Sequence, residues 1–289
     1  MLKTERPLKS FQLHVDNFDL KSTLECGQVF RWAKVDRDEY LGVVGPSMLR
    51  IRQDKNKLII RTQDTSASPS FVTSYFDLDL DLAYIYNTIR GDKYIESSLR
   101  RFKGLRIIRQ PLWECLASFI ISAYNNIPRI KGIIYNISRS FGGRLVLGDE
   151  VSYSFPSAEV LADSTPNQLR RCGAGFRTPF LKKTAQTFAR GNLDVETLKT
   201  ESYAQAKENL MQLDGVGQKV ADCVLLYAIG RFEAFPVDVW IKRIVEKLYF
   251  KSRKTTDKRI REFAGEYFGE YAGYAQQYLY HYERSKGIK

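Results

Sequence analysis

The spacing of apolar residues changes period once along this chain, near residue 71, and that change restricts the fold more than any other feature. Before it, Phe11–Val15, Val29–Val35, Tyr40–Val44, Met48–Gln53 and Lys57–Thr62 are short apolar or alternating runs. Gly45-Pro46-Ser47 and Asp54-Lys55-Asn56 lie between runs as turn chemistry, which predicts a meander of antiparallel strands. After Phe71, apolar residues recur at three and four, as in Leu82/Ile85/Tyr86/Ile89, Leu112/Cys115/Leu116/Phe119/Ile120 and Ile130/Ile133/Ile134/Ile137. Helical patterning continues at Phe180–Phe188, Ala204–Leu213, Lys219–Ile229, Val239–Leu248, Lys258–Phe268 and Gly273–Tyr282. The expected fold class is α+β. An N-terminal antiparallel β-sheet domain over 1–105 precedes a mostly α-helical region over 106–289, which contains a helix–hairpin–helix motif.

Charge is shared unevenly between the two parts. The 289 residues include 45 Lys+Arg and 33 Asp+Glu, a net charge of +12. Residues 1–105 hold 17 basic and 14 acidic side chains, the remainder 28 and 19, so a polyanion is expected on the helical part. The two histidines, His14 and His281, sit at opposite ends and argue against a histidine-built zinc centre. Cys26, Cys115, Cys172 and Cys223 form no CxxC pair and are tens of residues apart, which excludes a zinc ribbon or clustered iron–sulfur ligands. No metal ligand set or cofactor is expected. With no secretory leader and no run near the ~18 apolar residues of a membrane span, the chain reads as a soluble, intracellular monomer. Its place is the cytoplasm or nucleoid, or the nucleus in a eukaryote.

The most informative stretch is LMQLDGVGQKVADCVLLY, Leu210–Tyr227. One helix ends near Leu213, Asp214-Gly215-Val216-Gly217 makes a tight turn, and a second helix starts near Gln218. Two glycines one residue apart permit positive φ and close approach by another backbone. The new helix presents unpaired N–H groups and a positive dipole end, which suit a phosphate oxygen. A plain turn between helices would also contain GxG; the LxGVGxKxA context favours a grip on a DNA backbone.

Lys219 stands at the start of that second helix, where the positive dipole end disfavours an ammonium and favours the neutral, nucleophilic amine. Alone it would be read as a solvated surface lysine. Asp238, in PVDVW (Pro236–Trp240), is placed to cap the helix Val239–Leu248 and to be held rigidly by backbone N–H donors. Alone it would be read as only a cap. Together, a held carboxylate near a nucleophilic amine suits the stabilisation of a cationic sugar centre.

GVGQKVADC followed by PVDVW resembles the helix–hairpin–helix DNA glycosylase superfamily. More narrowly, the chain resembles the 8-oxoguanine DNA glycosylases of the eukaryotic type and their bacterial and archaeal relatives. The likeness runs over nearly the whole chain and includes LECGQVFRW (Leu24–Trp32), AYNNIPRI (Ala123–Ile130), CGAGFR (Cys172–Arg177) and AGYAQQYLY (Ala272–Tyr280).

The resemblance implies a bifunctional DNA glycosylase/AP lyase of base excision repair, with two helical subdomains and an active-site cleft between them. Its substrate would be double-stranded DNA containing 8-oxoguanine opposite cytosine. Lys219 matches the lysine that attacks C1′, and Asp238 the aspartate that stabilises the cationic transition state. Cys223 and Tyr280 match the residues on the two faces of the everted base, Tyr280 standing where the family often has Phe. Gln276 matches the glutamine on the Watson–Crick edge, and Gly27 the glycine whose carbonyl accepts the N7–H that guanine lacks.

Gly215, Val216, Gly217 and Gln218 match the hairpin that holds the backbone. Asn125, Asn126 and Arg129 are expected in a loop that enters the duplex. Arg129 and Arg177 match contacts to the orphaned cytosine, and Phe176 matches the aromatic wedge. Two positions depart from the common pattern: Tyr124 replaces the first residue of an asparagine triplet, and Trp240 replaces a histidine. The first departure makes an aromatic plug for the vacated base space an expectation.

Two rival readings predict different chemistry. An alkylpurine glycosylase typically keeps the aspartate and lacks the lysine, so Lys219 opposes that reading. A non-catalytic helix–hairpin–helix DNA-binding module would need neither Lys219 nor Asp238.

Overall fold

The computed structural model describes residues 7–191, 193 and 195–287. In chain order the first part comprises β1 (Lys9–His14), α1 (Leu20–Glu25), β2 (Trp32–Asp36), β3 (Glu39–Val44), β4 (Ser47–Asp54) and β5 (Lys57–Thr62). Helices α2 (Pro69–Phe76), α3 (Leu82–Ile89), α4 (Lys93–Arg101), α5 (Leu112–Ile121) and α6 (Ile127–Phe141) follow. A hairpin, β6 (Arg144–Leu147) and β7 (Glu150–Tyr153), leads into α7 (Ala158–Asp163), α8 (Pro166–Arg171) and α9 (Thr178–Ala189). The last helices are α10 (Val195–Thr200), α11 (Tyr203–Met211), α12 (Gln218–Val224), α13 (Val239–Tyr249), α14 (Asp257–Phe268) and α15 (Ala272–Ser285). This is the expected α+β fold.

The chain packs as two compact units, each built from interleaved segments. One comprises Met1–Asp16, Val29–Leu78 and Gln110–Leu193; the other comprises Asn17–Gln28, Asp79–Arg109 and Asp194–Lys289. These units follow packing; the strands of the five-stranded sheet end at Thr62, and helices α2, α3 and α4 already precede residue 105.

In the first unit, the five long strands form one antiparallel sheet in the order β1-β5-β4-β3-β2. Alternation gives the sheet a dry face on which Leu49, Ile51, Leu58 and Ile60 have no exposed surface. Gly42 pairs with Trp32 across β3 and β2, and the indole lies over it; an added Cβ would come within 2.2 Å of the ring. Trp32 in turn donates its indole N–H to the Tyr75 hydroxyl at 2.8 Å, tying sheet to α2. The β6–β7 hairpin covers part of the sheet through Leu145 and Leu147 against Val43 and Met48.

A buried ion pair joins this unit's strands to its helices. Arg31 Nε lies 3.3 Å from a Glu114 carboxylate oxygen, and the Arg31 guanidinium also donates to Ser138 Oγ and to the Tyr153 carbonyl. Burial pushes the Glu114 carboxyl up to about 7, although Arg31 pulls it the other way.

The second unit is helical. Side-chain caps set where its helices start: Asp81 on α3, Asp92 on α4, Ser202 on α11 and Thr256 on α14. Asp81 thereby has a capping role within the Asp77/Asp79/Asp81 run. The C-terminal helix α15 is the unit's centre, with Ala272, Tyr274, Ala275, Tyr278 and Leu279 fully buried. Among the described residues, no helix is long and apolar enough to cross a membrane.

Candidate active site

Helices α11 and α12 are joined by a hairpin in which Gly215 has φ +77 and the Val216 N–H donates to the Leu213 carbonyl at 3.1 Å. That positive φ suits glycine, since a Cβ there would be strained. Gly217 caps α12 with extended backbone and no side-chain cap, so the first N–H groups of α12 open on exposed Gly217 and Gln218. Val216 is buried and anchors the turn. The helix continues past Val224 into a single π turn, Leu225–Ile229, which ends at Gly230 with φ +87.

Lys219 lies in the first turn of α12 and is half-buried. One turn later, at i+4, Cys223 shares a side-chain hydrogen bond with it. Burial is the main cause that pushes the Cys223 thiol up to about 12; Lys219 pulls it down, and Asp222 and Asp238 push it up. At neutral pH Cys223 is therefore an uncharged thiol. Its sensitivity to both Lys219 and Asp238 brings those two groups into one electrostatic neighbourhood.

Asp238 caps α13 as expected, accepting the Ile241 N–H at 2.8 Å. The loop before it is held against α15 by Gly273, whose N–H donates to the Phe232 carbonyl at 2.8 Å. Arg109 lies over the Phe232 ring at 4.6 Å on the same loop. Trp240 is part-exposed and carries Arg243 above its ring at 5.5 Å.

The residues expected to hold the base belong to the same unit. Burial raises the Tyr280 hydroxyl above its ordinary range, and both Asp238 and Cys26 add to the shift. Gln276, only 5% exposed, has a buried side-chain oxygen with no hydrogen-bond partner. Such an acceptor is costly to leave unpaired unless a ligand arrives. Gly27 has φ +93, again a conformation that favours glycine.

Neighbours that sequence reasoning passed over fix this glycine. Gln277 donates to the Cys26 carbonyl at 3.2 Å and accepts from the Tyr227 hydroxyl at 2.7 Å. Gln28 donates to the carbonyls of Thr23 and Arg106 at 2.9 and 2.8 Å, and accepts from the Ile108 N–H at 2.9 Å. Gly27 is thus held from both sides by buried amides. The adjacent pair Gln276-Gln277 was the visible signal, because two amides in an apolar helix need two sets of partners.

The remaining expected residues belong to the other unit. Tyr124 has φ +49 and is 96% exposed. Asn125 donates to the Ile121 carbonyl at 3.1 Å, and Asn126 caps α6 by accepting the Arg129 N–H at 3.0 Å. Arg129 is exposed in the first turn of α6, so the expectation of a loop position is corrected: Asn126 starts the helix earlier. Phe176 is 58% exposed in a 3₁₀ turn, Gly175–Arg177, while Arg177 is 2% exposed. The Arg177 guanidinium donates to the carbonyls of Ala123 and Tyr124.

Among the described residues, no group of three or more His, Cys, Asp or Glu side chains is placed to hold a metal ion.

Comparison with known proteins places this arrangement. Residues 10–116 match the 8-oxoguanine DNA glycosylase N-terminal domain, and residues 117–270 match the HhH-GPD superfamily of base excision DNA repair proteins. A probable N-glycosylase/DNA lyase of Methanothermobacter thermautotrophicus is 32% identical over 96% of this chain and 97% of its own length. The N-glycosylase/DNA lyase of Saccharomyces cerevisiae is 32% identical over 84% of this chain and 71% of its own. The Clostridium acetobutylicum 8-oxoguanine glycosylase/lyase, solved with double-stranded DNA containing cytosine opposite 8-oxoG, superposes with a TM-score of 0.90. It is 36% identical, over 95% of this chain and 94% of that one. The chain belongs to the 8-oxoguanine DNA glycosylase family, within the HhH-GPD superfamily of base excision DNA repair proteins.

Proposed function

We propose that the protein everts 8-oxoguanine from duplex DNA, excises it and cleaves the resulting abasic site, acting as a bifunctional glycosylase and lyase. The observation that carries this reading is that Lys219 and Asp238, at two helix starts of one unit, both act on Cys223, one turn past Lys219.

The chemistry follows from what each group is able to do. The Lys219 amine attacks C1′ as the C1′–N9 bond breaks, and the base departs with the bonding electron pair and takes up a proton. Positive charge grows on the sugar during that step, and the Asp238 carboxylate, held as the cap of α13, faces it without having to move. Loss of a proton from the C1′ amine adduct and opening of the sugar ring give an imine between Lys219 and C1′. That imine acidifies the C2′ proton, and its removal expels the 3′ phosphate. Cys223, protonated at neutral pH, does not compete as a nucleophile. It instead offers a compact apolar face to the purine, with Tyr280 on the other side. Gln276 has an unpaired acceptor for the donor edge of the base. A carbonyl at Gly27 rewards the N7–H of 8-oxoguanine and opposes the lone pair that guanine has there. The Gly215–Gln218 hairpin holds the backbone, and Asn125, Asn126, Arg129 and Phe176 meet the opposite strand.

The protein would act wherever chromosomal DNA lies, in the nucleoid or a nucleus. Borohydride trapping on a duplex containing 8-oxoguanine tests the reading. A covalent adduct is expected with the intact protein and none with Lys219→Gln; an adduct that survives the substitution defeats it.

A further inference from the structure

We infer that Arg177 is a positioning residue for Tyr124, and that Tyr124 is the aromatic prong that takes the place of the everted base. The inference rests on the glycosylase reading above and adds a specific division of labour to it.

Tyr124 combines two features that are seldom found together. Its side chain is 96% exposed, and its backbone is left-handed with φ +49. A bulky residue keeps such a backbone only where its surroundings over-determine it. Here the determinant lies in another segment of the same unit. Arg177 Nε donates to the Ala123 carbonyl at 2.8 Å, and one terminal nitrogen donates to that carbonyl and to the Tyr124 carbonyl at 3.0 Å. A guanidinium supplies this fork and an ammonium does not.

The same guanidinium lies 4.3 Å from the Phe176 ring centroid. Phe176 is itself 58% exposed, raised on Gly175 with φ +58. One buried cation therefore ties two outward aromatic rings from segments about fifty residues apart. Asn125 and Asn126 are tied to local backbone at Ile121 and Arg129, whereas Tyr124 is exposed.

Eversion of a purine leaves its neighbours without a stacking partner. A tyrosine ring restores that contact without reading the opposite base, because every base has a π face. Arg177 then acts through the ring it places. A base-reading arginine would show its effect mainly opposite cytosine, whereas a positioning arginine shows it opposite all four bases.

Single-turnover excision of 8-oxoguanine opposite each of C, A, G and T separates the two roles. It is read together with the fluorescence of 2-aminopurine placed beside the lesion. Tyr124→Ala is expected to slow excision roughly tenfold, about one stacking contact's worth, and to leave 2-aminopurine bright. Tyr124→Phe should keep both the rate and the quenching. Arg177→Gln should slow excision by a similar factor opposite all four bases. In the Tyr124→Ala background, Arg177→Gln should add less than about a twofold loss. Arg177→Lys, which keeps the charge and removes the fork, should follow Arg177→Gln and serves if the latter does not fold. A loss confined to cytosine, or losses that multiply in the double variant, would overturn the inference, as would a Tyr124→Ala rate equal to wild type. Borohydride trapping of the wild-type protein on a preformed abasic site needs no base to be everted. Failure there defeats the glycosylase reading itself; success there with unchanged Tyr124→Ala excision defeats only this inference.

Discussion

Lys207 Nζ of α11 lies 2.7 Å from Asp222 Oδ1 of α12, a carboxylate with no exposed surface, three residues after Lys219. Tyr203 also donates its hydroxyl to Asp222. This pair fastens together the two helices of the hairpin from inside. Burial raises the Asp222 carboxyl, and Lys207 and Tyr203 oppose that shift. Burial likewise lowers Lys207, and Asp222 opposes it. Removal of one partner would strand the other charge in the interior, which costs about 3–5 kcal/mol. Lys207→Met should therefore lower unfolding free energy by about that amount in a urea titration. The double variant Lys207→Met/Asp222→Leu should recover much of it; equal loss in both would show that the pair is not the source.

Asp238 caps α13 and carries a proposed electrostatic role in excision, and substitutions can separate the two. As the cap of α13, it accepts the Ile241 N–H at 2.8 Å. Asp238→Asn keeps an acceptor oxygen and removes the charge, so stability should change by less than about 1 kcal/mol, the scale of a full cap. Excision should fall by roughly 100-fold or more, as expected when charge stabilisation in a transition state is lost. Single-turnover kinetics alongside a denaturant titration would check both halves. Rate loss in proportion to unfolding would mean that the carboxylate is only a cap.

How much of this was legible beforehand depended on whether a residue's partners lay nearby in sequence. The five strands showed because one sheet face is dry, and alternation such as Leu49/Ile51 and Leu58/Ile60 records that directly. The helix-start position of Lys219, the i+4 spacing of Cys223 and the capping by Asp238 were legible because helix spacing and capping are local rules. Their grouping as a site came from the family resemblance. The β6–β7 hairpin did not show, since four-residue strands in which only Leu147 is buried leave little pattern. Gly148, with φ +59 between those strands, was the available signal. The Arg177 fork was hidden for a different reason. Its acceptors are backbone carbonyls 53 and 54 residues away, and a carbonyl has no side-chain signature.

The two most displaced titrations of the described residues within the mild acid range oppose each other. Glu114 is pushed up to about 7 from 4.5, mainly by burial. Below pH 4.5 both folded and unfolded chains hold its proton, and between 4.5 and 7 only the folded chain does. Glu114 stabilisation is thus present in acid and lost as pH rises toward 7. His281, whose ring lies tilted 4.1 Å from that of Phe102, is lowered from 6.5 to about 4 by burial. It favours the fold above pH 6.5, and that support is lost as pH falls toward 4. The melting temperature should therefore vary little between pH 4.5 and 6.5. Glu114→Gln should unmask a rise with pH across that window, and His281→Gln a fall. Parallel curves for all three proteins would remove both residues from the account.

Gly273 places α15 against the loop that carries Asp238. An added Cβ would meet Leu226 Cδ1 at 2.4 Å, and the carbonyl oxygens of Ala234 and Phe232 at 2.8 and 3.0 Å. Leu226 has rotamer freedom to yield, but the two carbonyls belong to the segment that leads into Pro236 and Asp238 and yield only by backbone movement. Gly273→Ala should destabilise the protein by about 1–3 kcal/mol through overpacking. The same shift would move α15, which carries Gln276 and Tyr280, relative to the loop that leads to Asp238. A misplacement of about 1 Å near reacting groups costs on the order of 100-fold in rate. Excision should therefore fall far more than lesion-independent DNA binding, which the proposed function assigns to the Gly215–Gln218 hairpin. Single-turnover rates and binding to undamaged duplex, measured below the variant's melting temperature, would check this. Equal losses in both would show that the glycine serves the fold alone.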